Sequence, residues 1–227
     1  MFPLVTLISF LLLLTTTTHV TAVTYTVTNT ATNTAGGTRF NNEIGIDYAR
    51  QTLSSATNFI WGNFQQSNPA DRKSTVQQVS LTVESISGVA FTQGNQIHLN
   101  SNYVQSYSGN VKAEVTGILY HEMTHVWQWD GNRQAPGGLI EGIADYVRLK
   151  AGYAPSHWVQ PGQGDRWDQG YDVTARFLDY CDSLRDGFVA QLNKKMRGGY
   201  NDSYFNDLLG KSVGQLFRDY KAKYNMN

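Results

Sequence analysis

The sequence predicts one α+β domain, in which a small mixed sheet packs on a central helix and the C-terminal part is mainly helical. Three observations predict it. Alternating β-type runs are confined to the first hundred residues, helical periodicity dominates the rest, and no repeat or low-complexity linker divides the chain. If the first 22 of the 227 residues are removed as a targeting segment, 205 remain, which is enough for a substantial core. We therefore expect a single domain over residues 23–227.

The N-terminus has the composition of a targeting segment. Residues 1–22 contain no charged side chain, and an apolar run of eleven residues extends from position 4 to position 14. Such a run is too short to span a bilayer comfortably, but it suits the apolar region of a signal peptide, and the small residues near Ala22 suit cleavage. We expect residues 1–22 to be a signal peptide that is removed. The lack of Lys or Arg departs from the usual pattern and leaves an uncleaved anchor as the alternative.

The strands and the first helix are predicted from residue spacing. Residues 23–29 alternate β-formers and predict a strand, whereas apolar residues at helical spacing predict a long helix from Asn42 to Phe64. Three short strands should follow. They are expected at residues 76–83, 89–92 and 96–100, with a turn at Gly94-Asn95 joining the last two as a hairpin.

Helical periodicity continues through the C-terminal half. Between residues 152 and 170 the chain is rich in Trp, Pro, Gly and Asp, which indicates an irregular segment. Helices are expected at residues 111–129, 139–151, 171–196 with a break near Gly187, and 213–224.

Composition excludes several classes of function. The formal net charge is zero and no basic stripe is present, so nothing indicates nucleic-acid binding. No further apolar run is long enough to span a membrane, so we expect a secreted, soluble monomer. Cys181 is the only cysteine, which rules out an intramolecular disulfide and predicts a buried, unreactive thiol. Asn201 begins an Asn-Asp-Ser sequon and is a candidate glycosylation site.

The most informative stretch is His121-Glu122-Met123-Thr124-His125. Because residues four apart share one face of a helix, both imidazoles can reach one metal ion. Glu122 is turned by about 100° from His121, which places it to contact a water at the metal rather than the metal itself. This is the HExxH pattern of zinc proteases, in which the metal makes water a nucleophile at neutral pH.

A catalytic zinc site also needs a third protein ligand. A histidine at the metzincin spacing is absent, since position 131 is Gly131 and Gln128 stands where a glycine is expected. The next predicted helix instead offers Glu141 as the ligand, with Asp145 four residues later to accept the spare N–H of His121 or His125. We therefore expect one Zn²⁺ ion. The joint occurrence of both patterns argues against a hydrogen-bonded histidine pair with no metal.

Other features leave alternatives open. An oxyanion donor is needed, and His157, Tyr146 and Tyr171 are the candidates. A substrate is expected to add to an edge strand beside the motif helix, which is either the strand at 89–92 or the one at 96–100. The loop acids Asp165, Asp168 and Asp172 are either solvated or a calcium site.

These residues resemble a known family, the plant basic secretory proteins, which are peptidases of plants and bacteria associated with pathogenesis responses. The resemblance covers essentially the whole mature chain and is most specific in its central block. It is carried by residues 121–129 and 134–146, and also by residues 25–27, 164–167, 171–178 and 208–211.

The resemblance implies an extracellular zinc metallopeptidase of the glutamate-zincin type with a role in plant defence, located in the apoplast or cell wall. It implies His121, His125 and Glu141 as ligands and Glu122 as general base, with a peptide or protein as substrate. The spacer after His125 is shorter than in the best-known glutamate-zincins, which keeps Asp145 as an alternative ligand. The neutral charge balance departs from the "basic" of the family name. The alternative function is a catalytically silent zinc-binding defence protein that binds microbial or cell-wall ligands.

Overall fold

The computed structural model describes residues 22–224, so the expected signal peptide lies, except for Ala22, outside the described residues. In the described part the fold is mixed α+β, with one four-stranded sheet and nine α-helices. None of these helices is both long and apolar enough to cross a membrane.

The sheet contains the four predicted strands. They are β1 (Thr24–Asn29), β2 (Gln78–Glu84), β3 (Ala90–Gln93) and β4 (Gln96–Asn100). Their order is β1-β2-β4-β3, with β1, β2 and β4 parallel and β3 antiparallel to β4. The expected hairpin therefore exists, and it places β3 at the edge of the sheet and β4 inside. Of the two strands considered for the edge, the structure selects β3.

Nine α-helices complete the described chain. They are α1 (Ala35–Arg39), α2 (Ile46–Asn63), α3 (Ser101–Ser106), α4 (Val111–Trp127), α5 (Gly137–Lys150), α6 (Tyr171–Leu184), α7 (Phe188–Lys195), α8 (Ser203–Leu209) and α9 (Val213–Lys223). The predicted helices are confirmed to within about four residues at their ends. The long N-terminal helix begins later than expected, because a π-helical turn at Phe40–Ile44 precedes it. The short helices α1, α3 and α8 were not predicted.

One face of the sheet and the central helices form the core. Along β2, Val79, Leu81 and Val83 are buried, whereas the residues between them are partly exposed, as expected for a sheet with one face covered. The covering elements are α2 and α4, which pack on each other. Because α4 lies between the sheet, α2 and α5, it is buried on almost every side, including Leu119 and Met123. Side chains on α4 are therefore held rigidly.

Helix α5 approaches α6 closely through a glycine. A Cβ added at Gly142 would lie 2.2 Å from the Cγ2 of Thr174, a buried residue of α6. Glycine in a helix interior costs about 0.5–1 kcal/mol relative to alanine, so this position is occupied for close packing. The packing of α5 between α4 and α6 sets where Glu141, the preceding residue, projects.

Candidate metal centre

Helix α4 supplies the two histidines. Its N-terminus is capped by Asn110, whose side chain accepts a hydrogen bond from the N–H of Ala113 at 3.0 Å. One turn apart near the other end, His121 and His125 place their Nε2 atoms 3.1 Å from each other. Both rings point to the same side of α4, as the spacing predicted.

Helix α5 supplies a carboxylate at the same point. The Oε2 of Glu141 lies 3.2 Å from the Nε2 of His121 and 3.5 Å from the Nε2 of His125. One ligand atom from each of the three residues lies within 4.8 Å of the others. Among the residues that the structure describes, this is the group of three His, Cys, Asp or Glu side chains that could hold a metal ion. Asp145 is not in it.

The other nitrogens of the two rings also have partners. The Nδ1 of His121 donates to the Oδ1 of Asp145 at 2.6 Å, and Asp145 is only 4% exposed. The amide of Gln128 lies 2.7 Å from the Nδ1 of His125. An imidazole that binds a metal through Nε2 carries its proton on Nδ1. Gln128 would then have to accept that proton through Oε1, which is buried and has no hydrogen-bond partner among residues 22–224.

Glu122 lies on a different side of α4. It is buried and is not part of the three-residue group. The hydroxyl of Thr92 on β3 donates to the Oε2 of Glu122 at 2.6 Å, with the backbone oxygen of Glu122 at 3.1 Å. The edge strand therefore fixes the carboxylate of Glu122 beside the site rather than in it.

Electrostatics at the centre favour a cation. Burial alone would lower the pKa of His121, but its hydrogen bonds with Asp145 and Glu141 raise that pKa to about 10. Burial alone would raise the pKa of Glu141, but hydrogen bonds with His121 and His125 lower it far below its ordinary value. Three carboxyl groups, including that of Glu122, thus surround two imidazoles and stabilise positive charge between them.

A cavity of about 890 Å³ opens over this centre. Tyr171 and His157 both line it, and Tyr171 lies over the ring of His121 with a centroid distance of 6.1 Å and nearly parallel planes. Tyr146, the third donor candidate, does not line the cavity. It is buried, and burial together with the nearby carboxyl of Asp182 raises its pKa.

The remaining candidates are not part of the three-residue group, although Asp172 lines the cavity. Asp168 pairs with Arg166 at 3.2 Å, and Asp172 accepts a hydrogen bond from the backbone N–H of Val159 at 2.7 Å. Neither they nor Asp165 form a metal-ligand group with one another in the described part of the chain. Asn201 is exposed. Cys181 is buried, and burial raises the pKa of its thiol well above the ordinary value.

Comparison with known proteins identifies the family. A match to the family described as "Peptidase of plants and bacteria" spans residues 20–220. The chain belongs to this family. A relative from Boswellia serrata, named "Basic secretory protease", is 48% identical over 61 residues, which are 27% of this chain and 70% of that protein. No solved structure matches the chain. Membership of this peptidase family and the relative's name support a protease-like function.

Sequence reasoning missed two groups of residues in this family member. Thr92 and Gln128 contact the side chains of the motif, but they come from the edge strand and from the residue just after α4. Only the position of Gln128, three residues after His125, offered a signal. A cluster of the buried Glu114 and Arg148 with the half-buried Tyr103 lines the same cavity. Nothing in the sequence links these three residues.

Proposed function

We propose that this chain is a secreted zinc-dependent peptidase of the zincin type, with Glu141 as the third ligand, acting outside the cell in plant defence. It acts as a monomeric single domain over residues 23–227, after removal of residues 1–22. The observation that carries the proposal is the convergence of His121, His125 and Glu141 within 4.8 Å. The defence role rests on the family resemblance alone.

The residues present fit a zinc ion. Two imidazole nitrogens and one carboxylate oxygen are a ligand set that catalytic zinc takes, and the three side chains that would hold it line the cavity. Asp145 supports the fit, because its contact with the Nδ1 of His121 leaves Nε2 free to bind. A zinc ion held by these three residues would supply Lewis acidity for activating water and polarising a peptide carbonyl near neutral pH.

The chain's own residues perform the proton transfers. Glu122 takes a proton from the attacking water and delivers it to the leaving amine. Thr92 holds the Oε2 of Glu122, which leaves Oε1 for that exchange. Since Glu122 sits on the rigid helix α4 and is braced by β3, it needs no rearrangement to act.

The edge strand receives the peptide. β3 is one of the two edge strands of the sheet and lines the cavity next to Glu122. Its unpaired backbone groups can bind an extended peptide as an additional strand, which holds the scissile bond over the centre. Phe91 on this strand is 43% exposed and supplies apolar surface for peptide side chains.

Tyr171 is the better of the two remaining oxyanion donors. Its backbone has a φ of +45°, a conformation that is costly for a residue other than glycine and is often held at functional sites. That conformation places the side chain, 57% exposed, over His121 at the cavity. A phenol there can donate to an oxygen that gains negative charge. His157 lines the same cavity and is the alternative.

Metal analysis and activity test the proposal together. We expect the purified protein to hold one zinc ion and to cleave peptides, Glu122→Gln to keep the zinc and lose cleavage, and Glu141→Ala to lose both. A protein that holds zinc but cleaves nothing in a broad peptide library would instead be the silent binding protein. Absence of bound zinc would refute the metal assignment.

A further inference from the structure

The cavity extends from the metal centre to a buried ion pair. On α4, Glu114 lies seven residues before His121, which is about 10 Å along the helix axis. Its Oε2 accepts a hydrogen bond from the Nη2 of Arg148 on α5 at 3.0 Å, and its Oε1 accepts one from the hydroxyl of Tyr103 at 2.9 Å. All three side chains line the cavity. We call them the polar floor.

Arg148 retains hydrogen-bonding capacity. Its Nε donates to the backbone oxygen of Tyr153 at 3.0 Å and its Nη2 to Glu114. Its Nη1 makes no hydrogen bond within residues 22–224, and it is not among the side-chain atoms sealed from solvent without a partner. Because Arg148 lines the cavity, Nη1 is free to donate to a bound molecule.

The chain makes room for this guanidinium at a cost. A Cβ added at Gly117, in the interior of α4, would lie 2.7 Å from the Nε of Arg148. An interior glycine weakens a helix, and a buried ion pair is often no more stabilising than apolar residues of the same volume. Because neither Gly117 nor the adjacent ion pair of Glu114 with Arg148 is favourable for stability, together they indicate a role beyond stability.

The direction of the edge strand shows what meets the polar floor. β3 begins beside Asn100, whose side chain contacts the backbone oxygen of Gly88 and which caps the helix bearing Tyr103. It proceeds to Thr92 at Glu122. The strand therefore runs from the polar floor toward the metal centre. A peptide added antiparallel, the more stable pairing, runs the other way. Its residues after the scissile bond face the polar floor.

We propose that the polar floor is the specificity pocket for the substrate residue immediately after the scissile bond, and that it selects an uncharged side chain ending in a hydrogen-bond acceptor, such as glutamine. This deepens the proposed peptidase function and rests on it. Ile118 and Trp158 supply apolar walls for the stem of the side chain. Glu114 already neutralises Arg148, so a substrate carboxylate would bring a second, uncompensated charge into a buried site.

Binding to the inactive enzyme tests the pocket. Two peptides that differ only in having glutamine or methionine directly after the scissile bond would be titrated against zinc-loaded Glu122→Gln. The position of the scissile bond is taken from the products of the active enzyme. If no products are found, the glutamine or methionine is moved through the peptide one position at a time. The glutamine peptide should bind at least about tenfold more tightly, as hydrogen bonds to a charged group imply. Glutamate should bind no better than methionine. Equal binding, or tighter binding of methionine, overturns the proposal.

Variants of the polar floor test whether Arg148 causes the preference for glutamine over methionine. Arg148→Lys keeps the charge opposite Glu114 but loses the free Nη1 donor, so in the Glu122→Gln background the preference should fall to about threefold or less. Lys150→Met removes an exposed cation from the same helix, outside the cavity, and should leave the preference intact. A preference that survives Arg148→Lys, with zinc content unchanged, overturns the assignment to Arg148. If zinc-loaded Glu122→Gln binds neither peptide at any position in the scan, the peptidase proposal itself is refuted.

Discussion

Asp145 should set zinc affinity without touching the metal. Its carboxylate is buried and accepts the Nδ1 proton of His121 at 2.6 Å. Asp145→Asn preserves the shape but replaces a charge-assisted hydrogen bond by a neutral one. A hydrogen bond to a charged group contributes about 1.5–3 kcal/mol and a neutral one about 0.5–1.5 kcal/mol. The substitution should therefore weaken zinc binding by about 1–1.5 kcal/mol. The dissociation constant for zinc should therefore rise about tenfold.

Asp145→Ala should have a larger effect. It leaves the Nδ1–H of His121 buried without an acceptor, and loss of such a partner weakens metal binding by about 10–100-fold. Zinc affinity would be measured by competition with a chromophoric chelator at constant pH. Asp179→Asn is the matched control, because Asp179 pairs with Lys150 on the protein surface and does not line the cavity. Wild-type affinity in both Asp145 variants would refute the role assigned to this carboxylate.

Three further predictions concern the edge strand, the helix packing and the response to alkali. Thr92→Val removes the donor to Glu122 and should lower kcat about tenfold at unchanged zinc content; an unchanged kcat would contradict the bracing role. Gly142→Ala should lower the free energy of unfolding by about 1–3 kcal/mol, because the new Cβ meets Thr174, as measured by urea unfolding. Adding Thr174→Ser, which removes the opposing methyl group but keeps the hydroxyl, should restore part of the loss, and no recovery would refute the clash. Burial raises the pKa of Tyr220 to about 12, above the ordinary 10.0. Its contribution to stability is thus complete below pH 10 and is lost as the pH rises through 12, so the urea midpoint should fall over that window, and less steeply in Tyr220→Phe. Equal slopes would exclude Tyr220 as a cause.

The sequence was sufficient where the signal is local. The periodicity of α4 and the four-residue spacing of His121 and His125 are properties of one helix, and the structure places both Nε2 atoms together. The same holds for Glu141 and Asp145, four residues apart on α5. Glu141 contacts the Nε2 of His121, and Asp145 accepts the Nδ1 proton of the same ring. Alternation likewise located β1 and β2, and in β2 it arises because one face of the sheet is buried.

Short elements escaped prediction because their stability comes from elsewhere. Helix α1 has five residues, two of them glycines, and a Cβ at Gly36 would meet the backbone oxygen of Ser101 at 1.8 Å. Close packing against α3 therefore holds a segment of low intrinsic helix propensity. No pattern within either segment predicts that contact.

By itself, the sequence determined the longer helices, the strands and the side chains of the candidate metal centre, since each depends on spacing within one segment. Tertiary structure decided which strand of the hairpin lies at an edge of the sheet and that Thr92 and Gln128 contact the motif. It also decided that Tyr146 does not line the cavity and that Arg148 meets Glu114 across two helices. These contacts join residues from different elements. Their geometry is set by how buried surfaces fit together, and that fit is a property of the whole core rather than of any one segment.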